Sequence, residues 1–154
     1  MEKPTIAIAS DHAGFEQKEK LKAWLTQQGY QVHDLGPAND DRVDYPDFAA
    51  LVASALTEGS AQRGVLVCGT GIGMAIAANK FPGIRAANVT SAKFASLARE
   101  HNDANVITIS GRFVTPEDNK EILSNFLTTP FGKGRHAARL EKIALIEQAR
   151  DTQA

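Results

Sequence analysis

The sequence predicts an α/β protein of three layers, with helices on both faces of a five-stranded parallel sheet. Two observations predict it. Short, nearly continuous apolar runs alternate with amphipathic stretches from one end of the chain to the other. Five such runs interleaved with helical patterns imply parallel pairing through right-handed crossovers. The 154 residues suit a single domain with one core, expected over residues 1–150.

The first strand is read at Thr5-Ile6-Ala7-Ile8-Ala9, where apolar residues run almost unbroken. From Gly14 to Gln28 the period becomes helical: Phe15, Leu21, Trp24 and Leu25 share a face, with Lys and Glu opposite. Gly29 stands where a helix-ending glycine belongs. Tyr30 to Leu35 forms the second strand, and Gly36 to Asp44 a polar loop. Tyr45-Pro46 opens a second helix, with Phe48, Leu51, Val52 and Leu56 on its apolar side. The third strand is Gly64 to Cys68, followed by a glycine-rich turn and a short helix through Met74 and Ile76 to Ala78. Ile84 to Val89 is the fourth strand. Ser91 caps a helix that ends near His101. Asn105 to Ser110 is the fifth strand. Thr115-Pro116-Glu117-Asp118 then supplies a hydroxyl cap, a first-position proline and first-turn acids. A final helix is expected at 135–149, with Asp151 to Ala154 frayed.

Composition narrows the function. A net charge of −1 offers no broad basic face for nucleic acid. The longest uncharged stretch, Gly64 to Asn79, is shorter than the roughly 20 residues a membrane helix needs, and it holds four glycines. Met1 to Ser10 has no long apolar region of a signal peptide. Cys68 is the one cysteine, so no disulfide forms within the chain, which fits a reducing, cytoplasmic setting. No histidine or cysteine spacing suggests a metal site, and no cofactor is expected.

In open parallel sheets, ligands bind beyond the carboxyl ends of strands, where strand order reverses. With the expected order 2-1-3-4-5, strands one and three are neighbours, and Asp11, His12 and Cys68 converge on one crevice. Gly69-Thr70-Gly71-Ile72-Gly73 admits two readings: a tight strand-to-helix turn, or an anion site of successive N–H groups. A dinucleotide site fits less well, because the spacing is not GxGxxG and no acid ends the next strand. A lone cysteine is often a small buried hydrophobe, but Cys68 sits at a strand end beside a helix start, where a thiolate is favoured. Beyond the fourth strand stands little except Asn88 and Thr90; beyond the fifth stand Ser110, Gly111 and Arg112. His33, inside a strand, reads as structural. His101 either complements a helix dipole or acts in chemistry. Lys133, Arg135, His136 and Arg139 form either a solvated basic face or a phosphate clamp. On residues alone this is an α/β enzyme for a small anionic substrate.

Taken together, Ser10-Asp11-His12-Ala13-Gly14-Phe15, Asp44-Tyr45-Pro46, Cys68-Gly69-Thr70-Gly71-Ile72-Gly73, Ala77-Ala78-Asn79-Lys80, Pro82-Gly83-Ile84-Arg85-Ala86, His101-Asn102-Asp103-Ala104-Asn105 and Gly134-Arg135-His136 resemble the ribose-5-phosphate isomerase B family, from about Ile6 to Glu147. The resemblance implies a Rossmann-like sheet and an aldose–ketose isomerase of the pentose phosphate pathway. It implies Cys68 as the base moving a proton between C1 and C2, with Thr70 assisting. It implies that amides from Gly69 through Ile72 to Gly73 stabilise the enediolate oxygen, as an oxyanion hole does. His101 would help open the furanose ring, Asp11 would handle the ring-oxygen or hydroxyl proton, and Asn102 would bind sugar hydroxyls. His12, Arg135 and Arg139 would hold the phosphate, with Arg112 lining the site. In this family the two arginines come from a neighbouring subunit, which implies a homodimer or dimer of dimers, the last helix docking on that neighbour. One type within the family uses glutamate just after the glycine turn; Met74 stands there, placing this chain with the cysteine type. Three alternatives remain: a hexose 6-phosphate isomerase acting on allose or galactose 6-phosphate, a sugar-phosphate-binding module without turnover, and a flavodoxin-like nucleotide domain.

Overall fold

The computed structural model describes residues 2–152. Five strands, β1 (Ile6–Ser10), β2 (Val32–Asp34), β3 (Arg63–Cys68), β4 (Ala86–Asn88) and β5 (Val106–Ser110), form one sheet in which every pairing is parallel. The helices are α1 (Phe15–Gln27), α2 (Tyr45–Glu58), α3 (Ile72–Ala78), α4 (Ala92–Asn102), α5 (Pro116–Thr128) and α6 (Arg135–Thr152). Leu21 and Leu25 of α1, Ala95 and Ala98 of α4, and Ile122, Leu123 and Phe126 of α5 cover one face. Ala49, Val52 and Ala53 of α2 with Met74 and Ala78 of α3 cover the other. The three-layer α/β/α expectation holds.

The strand order is β2-β1-β3-β5-β4, not 2-1-3-4-5. Burial explains the exchange. All five residues of β5, Val-Ile-Thr-Ile-Ser, are buried, as a central strand requires. The three residues of β4 are only half-buried or exposed, and they end on Asn88, so β4 belongs at the edge. The neighbouring pair β1 and β3 stands as expected, with Ser10 opposite Val67. β5 also moves beside β3, with Ser110 opposite Cys68.

Local rules place the helix ends. Ser91 Oγ accepts from Phe94 N–H at 3.2 Å, and Thr115 Oγ1 from Asp118 N–H at 3.2 Å, so both predicted caps form. Gly29, at φ +90°, follows α1 as a left-handed terminator. The last helix runs longer than expected, through Thr152, so Asp151 is helical rather than frayed; Gln153 and Ala154 lie outside the described residues. Among the described residues, no helix is long and apolar enough to cross a membrane.

Lys18 is fully buried on α1. Its ammonium donates to both carboxylate oxygens of Asp34, at 2.9 and 3.0 Å, and to the Pro37 carbonyl at 2.7 Å. It thereby ties α1 to the end of β2 and to the loop that follows. A buried ammonium needs such partners, because an unpaired charge out of water is costly. Burial pushes the Asp34 carboxyl up, but hydrogen bonds from Lys22, Lys18 and Gly36 N–H outweigh it and hold it below its ordinary value of 3.8. A depressed carboxylate stabilises the fold above its ordinary value, and that contribution is lost as pH falls through the depressed one. Lys18→Ala should cost about 3 kcal/mol, read as a lower urea midpoint at unchanged slope. It should also flatten the loss of stability on acidification. An unchanged midpoint would refute this role.

Candidate active site

Parallel strands gather their carboxyl ends along one edge of the sheet. Ser10 ends β1 there, and Asp11 and His12 follow. Asp11 is buried; its Oδ1 accepts from Gly14 N–H at 2.9 Å, and its own N–H donates to the Val67 carbonyl at 3.1 Å. His12 Nδ1 accepts from Val43 N–H at 3.3 Å, which fixes its ring against the loop after β2.

Cys68 ends β3 with 5 % of its surface exposed. Its Sγ accepts from Gly71 N–H at 3.1 Å. That contact needs the turn to bend back sharply, and Gly71 does so at φ +84°, where side chains are disfavoured. Gly73 admits the ring of Tyr45: a Cβ there would lie 2.7 Å from it. Thr70 is exposed, and its Oγ1 accepts from Ile72 N–H at 3.1 Å. Ile72, itself exposed, opens α3.

The corrected strand order matters here. Gly111 N–H donates to the Cys68 carbonyl at 2.8 Å, and Arg112 N–H to the Gly69 carbonyl at 3.2 Å. Ser110 Oγ donates to that same Gly69 carbonyl at 2.6 Å. The residues after β5 therefore clamp Cys68 and Gly69, and Arg112 lies alongside the turn. Two buried amides brace this segment from behind: Asn119 Nδ2 donates to the Ser110 carbonyl at 2.9 Å, and Gln17 Nε2 to the Gly111 carbonyl at 3.1 Å.

Asp11, His12 and Arg112 line an open cleft of about 700 Å³ together with Arg42, Asp44 and Tyr45. The sequence places Arg42 and Asp44 in a loop and Tyr45 at a helix start, with Asp44-Tyr45-Pro46 among the stretches that carry the family resemblance, but assigns none of the three to the site. The signal was present: this loop leaves the carboxyl end of β2, the same edge as the others.

The second set of predicted residues lies elsewhere. His101 and Asn102 end α4, which returns to the amino end of β5. Five strand residues, roughly 16 Å, separate that end from the Cys68 end. His101 stacks on His136 of α6, with ring centroids 4.5 Å apart and planes 19° from parallel. Arg135 and Arg139 are exposed on the first turns of α6 beside that pair. Asn102 lines a separate hollow of about 450 Å³ between β4 and α6, with Ile84, Leu140, Ile143 and Ile146. The predicted residues thus fall into two sets: Asp11, His12, Gly69 to Gly73 and Arg112 at the Cys68 edge, and His101, Asn102, Arg135 and Arg139 at the opposite edge. His33 lies half-buried in the edge strand β2, away from both. Among the described residues, no three His, Cys, Asp or Glu side chains group as a metal ion would need.

Comparison with known proteins agrees with this architecture. Residues 6–143 match the Ribose/Galactose Isomerase family. A probable ribose-5-phosphate isomerase B of Mycoplasma pneumoniae is 49% identical over 144 residues, covering 93% of this chain and 95% of that one. The structure of Clostridium thermocellum ribose-5-phosphate isomerase B superposes with a TM-score of 0.94 at 44% identity, covering 95% of this chain and 99% of that one. The Mycoplasma genitalium ribose-5-phosphate isomerase B, solved with bound ribulose-5-phosphate, gives 0.90 at 46% identity, covering 94% and 96%.

The second set carries an electrostatic signature of its own. Partial withdrawal from water, then the neighbouring His101, Arg135 and Arg139, hold His136 below the ordinary histidine value of 6.5, with Glu100 opposing. The ring is therefore biased toward its neutral form. Arg135→Gln removes one of the opposing cations, so the NMR titration midpoint of His136 should rise. A midpoint that stays or falls would contradict this charge arrangement.

Proposed function

Because the chain belongs to the ribose/galactose isomerase family, we propose that it interconverts D-ribose 5-phosphate and D-ribulose 5-phosphate through an enediolate, with Cys68 as the base. The observation that carries this reading is the placement of the Cys68 sulfur: at a strand end, facing Gly71 N–H at 3.1 Å, within a turn of amides beside a cleft lined by arginine and histidine. A thiolate so placed is stabilised by N–H donors and the start of a helix.

The reaction balances without an outside reagent. His101 and Asp11 open the furanose ring by moving a proton between ring oxygen and hydroxyl. The thiolate takes the C2 proton of the open aldehyde, and the electrons of that C–H bond form the enediolate double bond. The proton returns to C1, the O2 proton passes to O1, and the carbonyl now stands at C2. Charge on the enediolate oxygen is met by amides of the turn. Gly71 N–H faces the sulfur and Ile72 N–H the Thr70 hydroxyl, so that role narrows to the remaining amides between Gly69 and Gly73. Asn102 binds hydroxyls. His12, Arg135 and Arg139 bind the phosphate, arginine matching its geometry bidentately.

Since His101, Arg135 and Arg139 lie at the edge away from Cys68, we infer a homodimer in which each set is a half-site and one chain's second half-site meets the other chain's cysteine. The exposed apolar residues of α6 support this. Ile143 and Ile146 beside the hollow, and Leu145, offer apolar surface suited to docking on a neighbour. Pairs of such dimers are compatible with the same contact. The single free cysteine and a charged, membrane-impermeant substrate fit a cytoplasmic enzyme of the pentose phosphate pathway.

The purified protein should convert ribose 5-phosphate in the presence of EDTA, and allose 6-phosphate more slowly. Turnover of the hexose alone would keep the chemistry and change the substrate; turnover of neither would leave a binding module. Cys68→Ala should lower kcat by roughly 10³-fold with KM within a few fold. Retained turnover would mean another base. Arg139→Ala should instead raise KM by roughly tenfold or more at nearly unchanged kcat. A fall in kcat alone would refute the phosphate role.

A further inference from the structure

We propose that Asn88 is a positioning residue for Cys68, acting through the Thr70–Gly71 peptide that lies between them. This rests on Cys68 as the base. Asn88 ends the edge strand β4, two strands away from Cys68. Its side-chain amide reaches back across β5. Nδ2 donates to the Thr108 carbonyl at 3.2 Å and to the Thr70 carbonyl at 3.3 Å, so both hydrogens of that amide group are used. The first bond anchors the side chain to β5. The second holds the glycine turn.

The Thr70 carbonyl and the Gly71 N–H belong to one peptide unit. That unit is planar, with its C=O and N–H pointing in opposite directions. Holding the carbonyl toward Asn88 therefore aims the N–H at the Cys68 sulfur, where it is found at 3.1 Å. Glycine makes such a lock necessary. The left-handed conformation of Gly71, which the turn requires, leaves its neighbouring peptide free to rotate. A rotated peptide would turn its carbonyl toward the sulfur and oppose the thiolate. Asn88 also sits tightly against this residue: a Cβ on Gly71 would lie 2.4 Å from Nδ2. Donation to the carbonyl further polarises the peptide and strengthens its N–H as a donor.

The test compares Asn88→Ala and Asn88→Asp with the unaltered protein and with Cys68→Ala. Two readouts are taken: steady-state kinetics with ribose 5-phosphate, and the rate at which iodoacetamide at pH 7 alkylates Cys68, the sole cysteine. Asn88→Ala should lower kcat about fivefold, with KM within twofold, and slow alkylation by a similar factor. Asn88→Asp, which sets an acceptor against two carbonyls, should do both more severely. Asn88 is exposed at a sheet edge, and circular dichroism is recorded on each variant to check that it folds. If either folded variant keeps both kcat and the alkylation rate within twofold, the inference is overturned. If only the melting temperature falls, Asn88 merely holds β4 to β5, and the inference is likewise overturned. A fully active Cys68→Ala would instead remove the base assignment; the alkylation rates would still report whether Asn88 acts on the sulfur.

Discussion

All five strands point the same way, and the rest of the molecule follows from that polarity. Whatever follows a strand gathers at one edge of the sheet; whatever ends a helix gathers at the other. Asp11, His12, the turn after Cys68 and Arg112 all follow strands. His101 and Asn102 end a helix, and α6 begins beside them. No side-chain rotamer spans the roughly 16 Å of β5 between these edges. An active site drawing on both sets needs two copies of the chain, each presenting one edge to the other.

Within the carboxyl edge, the cysteine is held through backbone carbonyls. Ser110, Gly111 and Arg112 bond the carbonyls of Cys68 and Gly69. Gln17 and Asn119 brace that segment from the helical layer. Lys18 plays the matching part at the neighbouring strand, joining Asp34 and Pro37 under the loop that carries Val43 to His12. Both hydrogens of the Asn119 amide group are used, on Gln17 Oε1 and the Ser110 carbonyl, and such buried donors favour one geometry, because an alternative leaves them unmet. Cys68 thus rests on a braced frame, while the cleft beside it stays open.

Much of this was legible in the sequence. The alternation of apolar runs and amphipathic stretches identified each element, and the caps at Ser91 and Thr115 formed as read. Asp11 and Cys68 could be placed together because one follows and the other ends strands that a reversal of order makes neighbours. What stayed hidden depended on packing between distant elements. Counting strands in order of appearance put β4 beside β3. The composition favoured β5, whose five residues are buried while β4 is short and ends on asparagine. That exchange alone brings Arg112 beside Gly69 and leaves Asn88 at the rim. Tyr45 was assigned to a helix start although its loop leaves the same edge as Asp11. The separation of His101 from Cys68 was implicit in the rule that helices return to the amino edge, but it emerges only when the topology is drawn.

The most direct test of the two-copy site is complementation between two inactive variants. Cys68→Ala leaves the second half-site whole, and His101→Ala leaves the first. Neither should turn over ribose 5-phosphate at an appreciable rate alone. Mixed, dissociated in mild denaturant and reassociated, half of the dimers are hybrids, and each hybrid carries one unaltered site. About a quarter of full activity should return. If the mixture stays as inactive as its parts while hybrid dimers are shown to form, Cys68 and His101 do not meet across the interface, and the account of a shared site fails.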